Sequence, residues 1–255
     1  RLIRLDWSIG LAVITASLSP FAIPTPAVGQ VPLDRTYTGW ARTTFPAEEF
    51  AGRRNRLVGL ARNGGGVVLV PSASGATGGE TFRQRDDFLY LTGLELPQSL
   101  LWVDADSALV RLYLPDHDPR WDNPTRPNDF PGRPLGMDPD LRARAGLSDL
   151  VSTDRLESAL AALAQSGRRV RVDLGGVRAA PAAPLAIGGW TPERELAVAL
   201  AARPDAIRVD DAHELFARLR MIKSPREIAA IQRAVDAAAA SMLAAIQVVR
   251  PGITE

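Results

Sequence analysis

Residues 82–103 read FRQRDDFLYLTGLELPQSLLWV, and this stretch decides how the neighbouring sequence folds. Phe88, Tyr90 and Leu91 are bulky side chains of the kind that strands favour. The Thr92-Gly93 pair that follows predicts a turn, because glycine adopts backbone conformations that other residues avoid. The sequence therefore predicts a buried strand over FLYL that runs into a glycine turn.

Three charged residues, Arg83, Asp86 and Asp87, stand where this predicted strand begins. Charges of opposite sign at a strand end ordinarily pair with one another at the surface. The sharper interpretation is that they form one wall of a substrate channel. Both interpretations stay open on the sequence, and the ion-paired strand end is the simpler one.

The residues that follow predict a hairpin. Leu100–Val103 and Val110–Leu114 are short apolar runs, and the Asp104-Ala105-Asp106-Ser107 segment between them is rich in turn-forming residues. Two strands joined by a tight turn are the expected result.

Further elements alternate along the chain. Apolar residues at helical spacing predict helices, and short β-branched or alternating runs predict strands. Phe50, Leu57 and Leu60 are assigned to the apolar side of the first helix. The predicted helices cover 46–62, 154–165 and 192–202, and the predicted strands cover 67–70 and 170–174. This alternation predicts a layered α/β domain with a sheet flanked by helices.

The end of the chain predicts one long helix. Ser224-Pro225-Arg226-Glu227 combines a serine cap, a proline at the first helical position and a glutamate that can close a capping box. Apolar residues then recur every three or four positions, at Ile228, Ile231, Val235, Met242, Ile246 and Val249. The helix should stop at Pro251-Gly252.

Composition excludes several classes of protein. The 255 residues include 30 basic and 29 acidic side chains, so the net charge of +1 offers no basis for binding nucleic acid or an anionic membrane surface. The chain has no cysteine, which excludes disulfides and thiol catalysis. His117 and His213 are its only histidines, too few for a multi-histidine metal site.

The first residues predict export to the periplasm or the extracellular space. Arg1 and Arg4 precede a short apolar run over 9–22, and Ala27-Val28-Gly29 has the small residues of a cleavage site. A membrane span needs roughly 20 uninterrupted apolar residues, whereas prolines interrupt this run. The alternative is a retained lipid or membrane anchor. We assign residues 1–29 to a signal peptide and 30–43 to a linker, and expect no stable membrane association.

Three segments together resemble one family. FRQRDDFLYLTG resembles the FRQ-x-x-x-F-x-YLTG signature of the aminopeptidase P N-terminal domain, and Phe50 with Arg53-Arg54 resembles that domain's first helix. LRMIKSPREI, at 219–228, and PGITE, at 251–255, resemble the start and end of the first helix of the catalytic domain in the creatinase and prolidase family. The resemblance implies a creatinase-type N-terminal domain over 44–215, with a layered mixed sheet, and the start of a pita-bread α+β catalytic domain over 216–255.

The resemblance also implies a function. Such enzymes remove the N-terminal residue that precedes a proline, and they use two divalent metal ions, usually manganese, held by two Asp, one His and two Glu. All of these ligands lie beyond the segment that PGITE resembles. We therefore expect no catalytic residue and no metal ligand within these 255 residues, and no metal bound by them alone.

Two loop residues are the candidates for contact with substrate. Trp121 and Arg126 lie in a proline-rich segment, where an indole could pack on a peptide and a guanidinium could meet a carboxylate. The nearby Asp116-His117-Asp118 triplet is expected to be a solvated turn. The family resemblance implies a homo-oligomer whose substrate is a peptide with proline at its second position. A non-catalytic peptide-binding or chaperone module, and a prolidase or creatinase, remain the alternatives.

Overall fold

Six short strands form one mixed sheet. The computed structural model of the chain describes residues 45–75, 82–116, 139–175, 191–250 and 252. The strands are β1 (Val67–Pro71), β2 (Leu100–Asp104), β3 (Val110–Leu114), β4 (Asp149–Ser152), β5 (Val170–Val172) and β6 (Val209–Asp211). Their order across the sheet is β4-β3-β2-β1-β5-β6. The β1–β2 and β2–β3 pairs are antiparallel and the other three pairs are parallel, which confirms the predicted mixed sheet.

Helices cover both faces of this sheet. They are α1 (Ala47–Arg62), α2 (Asp86–Thr92), α3 (Pro139–Ala145), α4 (Leu156–Ser166), α5 (Pro192–Ala201), α6 (His213–Met221) and α7 (Pro225–Val248). Side chains alternate along β1, so Val68 and Val70 pack with residues of α1, α2, α3 and α6. Val67 and Leu69 face the other way and pack with residues of α4 and α5. The layered α/β architecture is thereby confirmed.

The FLYL segment is a helix, so the predicted strand is wrong. Phe88 and Leu91 lie three residues apart on one side of α2 and are both fully buried. The hydroxyl of Thr92 donates to the carbonyl oxygen of Phe88 at 2.7 Å, which satisfies one carbonyl of the short helix. Bulky residues are compatible with either structure, and the three-residue spacing of the two that face the core decides between them.

Gly93 ends α2 because its backbone is left-handed, with φ 68°. A Cβ atom at this position would overlap the ring of Phe50 in α1. The glycine of the YLTG motif is thus required twice, by its backbone conformation and by the close approach of an aromatic ring.

Gln84 of the FRQ motif joins the loop that follows β1 to the loop that precedes β2. Its amide nitrogen donates to the carbonyl oxygen of Leu96 at 2.7 Å, and its amide oxygen accepts from the backbone N–H of Ala73 at 2.8 Å. The side chain is buried. A buried amide needs such partners, so this glutamine is a structural residue.

The predicted first helix is confirmed as α1, but Leu60 does not lie on its buried side. Phe50 and Leu57 are buried, but Leu60 is 36% exposed, and Val58 and Ala61 complete the buried side instead. Leu60 follows Leu57 by three residues, yet the 100° turn per residue places Val58 and Ala61 closer to the centre of that side.

Arg54 ties α1 to two other elements. Its guanidinium donates to the carbonyl oxygens of Leu91 at 2.8 Å and Gly146 at 2.6 Å, at the ends of α2 and α3. Burial lowers the pKa of this guanidinium to about 10. The charge is retained at neutral pH and is satisfied by backbone carbonyl oxygens.

The predicted hairpin and the remaining predicted elements are confirmed. Leu101 pairs with Leu112 across β2 and β3, and the Asp104 carboxylate accepts the backbone N–H groups of Asp106 and Ser107 in the turn between them. Helices α4 and α5 and strands β1 and β5 fall within two residues of their predicted limits. Strands β4 and β6 and helices α3 and α6 were not predicted, because each is short.

The domain boundary predicted between 215 and 216 falls inside α6. Phe216 and Leu219 are buried in the same core as α1 and α2. This packing favours a boundary after Met221, where the exposed segment 221–223 leads into α7.

Helix α7 begins as predicted. The hydroxyl oxygen of Ser224 accepts the backbone N–H of Glu227 at 3.2 Å, and the Glu227 carboxylate accepts the N–H of Ser224 at 2.7 Å. No residue of its 24 is buried. By length and composition α7 could cross a membrane, a criterion that core helices of soluble proteins also meet.

Candidate functional site at the base of the long helix

Arg53 is the central residue where α7 meets the sheet domain. Its guanidinium lies against three aromatic rings, at 4.6 Å from the centroid of Phe45, 5.3 Å from Phe50 and 4.2 Å from Tyr90. It donates to the carbonyl oxygen of Tyr90 at 2.9 Å. The side chain is 3% exposed, so the charge needs counter-charges close by.

Two glutamates supply those counter-charges. Arg53 lies 3.5 Å from a carboxylate oxygen of Glu49, one turn earlier in α1, and 3.3 Å from Glu227 in the first turn of α7. The Glu227 carboxylate also closes the capping box. One arginine therefore links the first helix of the domain to the start of the long helix.

Glu49 makes the same connection from the other side. Burial acts to raise its pKa, but hydrogen bonding with the Ser224 hydroxyl and the charges of Arg53 and Arg226 outweigh burial and lower it. The guanidinium of Arg226 lies 3.4 Å from this carboxylate. Glu49 is thus an ionised group that holds the capping serine of α7 against α1.

A cleft of about 660 Å³ opens beside these residues, between α1, α2 and the start of α7. Leu89, Tyr90 and Ile231 contribute apolar surface. Charged side chains of both signs also line it: Arg53, Asp86, Glu95, Arg220, Lys223 and Glu227. Such a lining suits a ligand with apolar groups and charges, and pockets of this size bind small molecules or short peptides.

A second polar cluster holds α6. Arg220 donates to the Asp87 carboxylate at 3.0 Å, and Nδ1 of His213 lies 3.1 Å from the Asp173 carboxylate. Burial, together with the neighbouring Asp173 carboxylate, raises the pKa of Asp87 to about 7, although Arg220 opposes the shift. Burial and the nearby carboxyl group thus favour the protonated form of Asp87.

The described residues do not fit a two-metal site. Nowhere among them do three side chains of His, Cys, Asp or Glu converge as a metal would require. Glu227, which lines the cleft, and Glu49 beside it are both paired with Arg53. The arrangement of apolar surface and paired charges can bind and position a ligand.

The sequence-based site residues have mixed outcomes. Trp121, Arg126 and His117 lie outside the described residues, so their roles stay predictions. Asp87 is ion-paired, but with Arg220 of α6 and not with its neighbour Arg83, and Arg85 pairs with Glu193 of α5 at 2.9 Å. Asp86 is exposed and lines the cleft, while Arg83 is exposed.

The role of Arg53 was missed, although the residue was noted as part of a resemblance. The i,i+4 spacing of Glu49 and Arg53 was a visible signal for an ion pair on α1. Its partner Glu227 lies 174 positions beyond Arg53, and no local pattern reports a contact over that separation.

Comparison with known proteins agrees with this architecture. Residues 50–171 match the family model of the aminopeptidase P N-terminal domain. No curated protein matches the sequence significantly. The match covers α1 to β5, and therefore both the FRQ and YLTG residues and the hairpin.

Solved structures share the fold. Aminopeptidase P from Escherichia coli, determined with the inhibitor Pro-Leu, superposes with a TM-score of 0.59 at 21% identity over 83% of this chain and 47% of its own. Aminopeptidase PepP from Pseudomonas aeruginosa gives 0.60 at 23% identity, over 82% of this chain and 46% of its own. A structure described as a putative aminopeptidase P from Bacillus anthracis superposes with a TM-score of 0.54 at 16% identity. The superposition covers 72% of this chain and 42% of that structure.

The chain spans less than half the length of each of these structures. At such identities the superposition establishes the fold alone. The chain shares the fold of these structures, and its residues 50–171 are similar to the aminopeptidase P N-terminal domain.

Proposed function

We propose that the chain is the N-terminal portion of an exported Xaa-Pro aminopeptidase, in which residues beyond α7 carry out metal-dependent hydrolysis. The observation that carries the proposal is the match of residues 50–171 to the aminopeptidase P N-terminal domain. The attachment of α7 to this domain through Arg53 and Glu49 supports it, because α7 bears the sequence that resembles the first catalytic helix.

The part assigned to the described residues is to bind and position. The cleft beside Arg53 offers apolar surface and both signs of charge, which are the features of a short peptide with free termini. The E. coli aminopeptidase P structure contains a dipeptide inhibitor, Pro-Leu, which supports a peptide as the substrate class. The proposed substrate is a peptide with proline at its second position, and the proposed assembly is a homo-oligomer.

The metal is assigned elsewhere. The described residues do not fit a two-metal centre, so two divalent ions, with manganese the proposed metal, would be held by ligands outside them. The ions would supply an activated water and polarise the scissile carbonyl. The residues described here would contribute only to the surroundings of that centre.

An activity assay tests this function. The 255-residue chain is titrated with Mn²⁺ by calorimetry and assayed on an Xaa-Pro peptide, beside a protein extended by the coding sequence that follows Glu255. We expect turnover only from the extended protein. Turnover by the 255-residue chain, or an extended protein with intact ligands that fails to cleave Xaa-Pro, would contradict the proposal.

Export is tested separately. N-terminal sequencing of the mature protein should begin near Gln30, after the small residues at 27–29. A soluble cytoplasmic product that retains Trp7 would contradict export without bearing on the enzyme class.

A further inference from the structure

Two residues of α1 and two residues of α7 form reciprocal ion pairs. The cation Arg53 of α1 lies 3.3 Å from the anion Glu227 of α7, and the anion Glu49 of α1 lies 3.4 Å from the cation Arg226 of α7. Arg53 and Glu49 are themselves 3.5 Å apart, one helical turn from one another. Each helix therefore presents one charge of each sign to the other.

Charge attraction is the main interaction between Arg53 and these carboxylates. The Nε atom and one terminal nitrogen of Arg53 are buried, and neither makes a hydrogen bond among the described residues. The side chains of Arg53 and Glu227 are 3% and 14% exposed, so water weakens their attraction little. The Arg226 side chain is 57% exposed, which makes its pair with Glu49 the weaker of the two.

Packing does not fix the direction of α7. No residue of this helix is buried, and the short exposed segment 221–223 joins it to α6. A short connection limits where a helix begins, but it leaves the rotation of the helix about its own axis undetermined. Within the part of the chain that the structure describes, the charged contacts with α1 are the interactions that can set this rotation.

Two contacts on different sides of a helix fix its rotation, whereas one contact does not. Successive residues are turned by about 100° around a helix axis, so Arg226 and Glu227 point in different directions. Because their charges are opposite, neither can take the place of the other against α1. A turn of α7 by one residue, in either direction, would bring like charges together.

We propose that Glu49 and Arg53 are positioning residues, which set the rotation of α7 through Arg226 and Glu227. This rotation decides which way the apolar side of α7 faces. The apolar residues lie about 40–100° around the axis from Glu227; they are Ile228, Ile231, Val235, Met242 and Ile246. Ile231 also lines the cleft, so the apolar side begins at the cleft and continues along the helix.

The consequence for catalysis rests on the proposed function, in which α7 leads into the catalytic part of the enzyme. With the rotation of α7 set, the cleft faces the catalytic residues in one orientation. A misplacement of about 1 Å can lower a reaction rate by roughly 100-fold. The four charged residues would thus act on the rate without touching the scissile bond.

Distance measurements between two spin labels test the rotation in the 255-residue chain. The chain has no cysteine, so Gln165→Cys in α4 and Ala240→Cys in α7 provide the two attachment points. Both residues are exposed, and Ala240 lies on the side of α7 away from the apolar residues. A helix is about 10–12 Å wide, so loss of the set rotation should shift or broaden the label distance by on the order of 5 Å.

Glu227→Gln separates the ion pair from the helix cap. The glutamine amide oxygen can still accept the N–H of Ser224, so α7 begins as before, while the charge facing Arg53 is lost. We expect this variant to broaden the distance distribution, Arg226→Gln to broaden it less, and the double variant to broaden it most. Arg233→Gln removes an exposed charge from the same helix and should leave the distribution unchanged. An unchanged distribution in the double variant, or an equal change in Arg233→Gln, would overturn the proposal.

Kinetics of the extended protein distinguish positioning from substrate binding. In the double variant, kcat should fall by about tenfold or more while KM changes by less than about twofold. A rise in KM with kcat unchanged would assign Glu227 to substrate binding in the cleft and overturn the positioning role. An inactive wild-type extended protein would contradict the proposed function, whereas the label distances would still decide the rotation.

Discussion

The sheet domain and helix α7 contain similar apolar residues at regular spacing, yet only the domain buries them. In the domain Phe88, Leu91 and Leu112 are fully buried. In α7 Ile228, Ile231 and Val235 are 58%, 52% and 53% exposed. Burying an apolar side chain stabilises a protein by about 1.5–3 kcal/mol, so the domain gains a contribution that α7 lacks.

Helix α7 is stabilised by local interactions instead. Its alanine-rich sequence favours helix, and its first turn is closed by the Ser224–Glu227 capping box and held to α1 by Arg53 and Glu49. Local interactions are sufficient to define where a helix begins, but they leave its apolar stripe open to a partner.

The largest effect should come from the domain core. Phe88→Ala removes a fully buried ring and should lower the free energy of unfolding by about 4 kcal/mol. Val235→Ala in α7 is the control, and should change it by less than about 0.5 kcal/mol, because the side chain is half exposed. Urea unfolding followed by circular dichroism measures both. Equal losses would show that α7 is packed as the domain is.

The second effect separates packing from backbone conformation. Gly93→Ala should cost about 3 kcal/mol, since the methyl group enters a left-handed position and meets the ring of Phe50. Gly167→Ala has the same left-handed backbone with no atom within 4 Å, and should cost only about 1–2 kcal/mol. If the two variants lose the same stability by urea unfolding, Phe50 moves aside without cost.

The third effect depends on pH. Burial acts to raise the pKa of Asp104, but hydrogen bonds from Arg168, Ser107 and Asp106 outweigh it and lower the pKa to about 2. Asp104 therefore stabilises the domain above about pH 4, by about 2 kcal/mol, and this contribution is lost as the pH falls towards 2.

Asp104→Asn should accordingly lower the free energy of unfolding at pH 7 and flatten its fall between about pH 4 and pH 2. Asp236→Asn in α7 is the matched control. Asp236 is exposed and accepts only a hydrogen bond from Gln232, at 2.7 Å, so its loss should have no measurable effect. An unchanged acid transition in Asp104→Asn would contradict the role of Arg168.

The smallest effect should come from the cap of α7. Ser224→Ala removes the acceptor for the N–H of Glu227 and should weaken the first turn by about 1 kcal/mol, which is roughly fivefold faster amide exchange there. Ser241→Ala is the control, because the Ser241 hydroxyl donates only to the carbonyl oxygen of Ala237 within the same helix. Unchanged exchange in Ser224→Ala would contradict the proposed start of the helix.

Local chemistry by itself determined much of this protein. The capping box at Ser224–Glu227, the hairpin turn at Asp104–Ser107 and the glycine stop at Gly167 were all predictable, because each depends on residues within a few positions of one another. The resemblance to the aminopeptidase P N-terminal domain was also visible at FRQ and YLTG, and the match to that family model includes both motifs.

Tertiary packing determined the structure of short segments whose sequence fits both a helix and a strand. FLYL became a helix because only Phe88 and Leu91 had to face the core, and Gly93 had to admit the ring of Phe50. Arg171 is a charged residue between two buried valines of β5. It is buried as well, because its guanidinium donates hydrogen bonds to the carbonyl oxygens of Ala61 and Gly65. Neither the helix over FLYL nor the burial of Arg171 could be predicted from the residues of its own segment.

The candidate site belongs wholly to the tertiary structure. Arg53 meets Glu227, and Asp87 meets Arg220, only after the sheet has brought distant segments together. The sequence determined which side chains carry charge and where the helices begin. The fold determined which charges are buried against one another. Burial makes the Arg53 ion pairs a connection between two helices and raises the pKa of Asp87 to about 7.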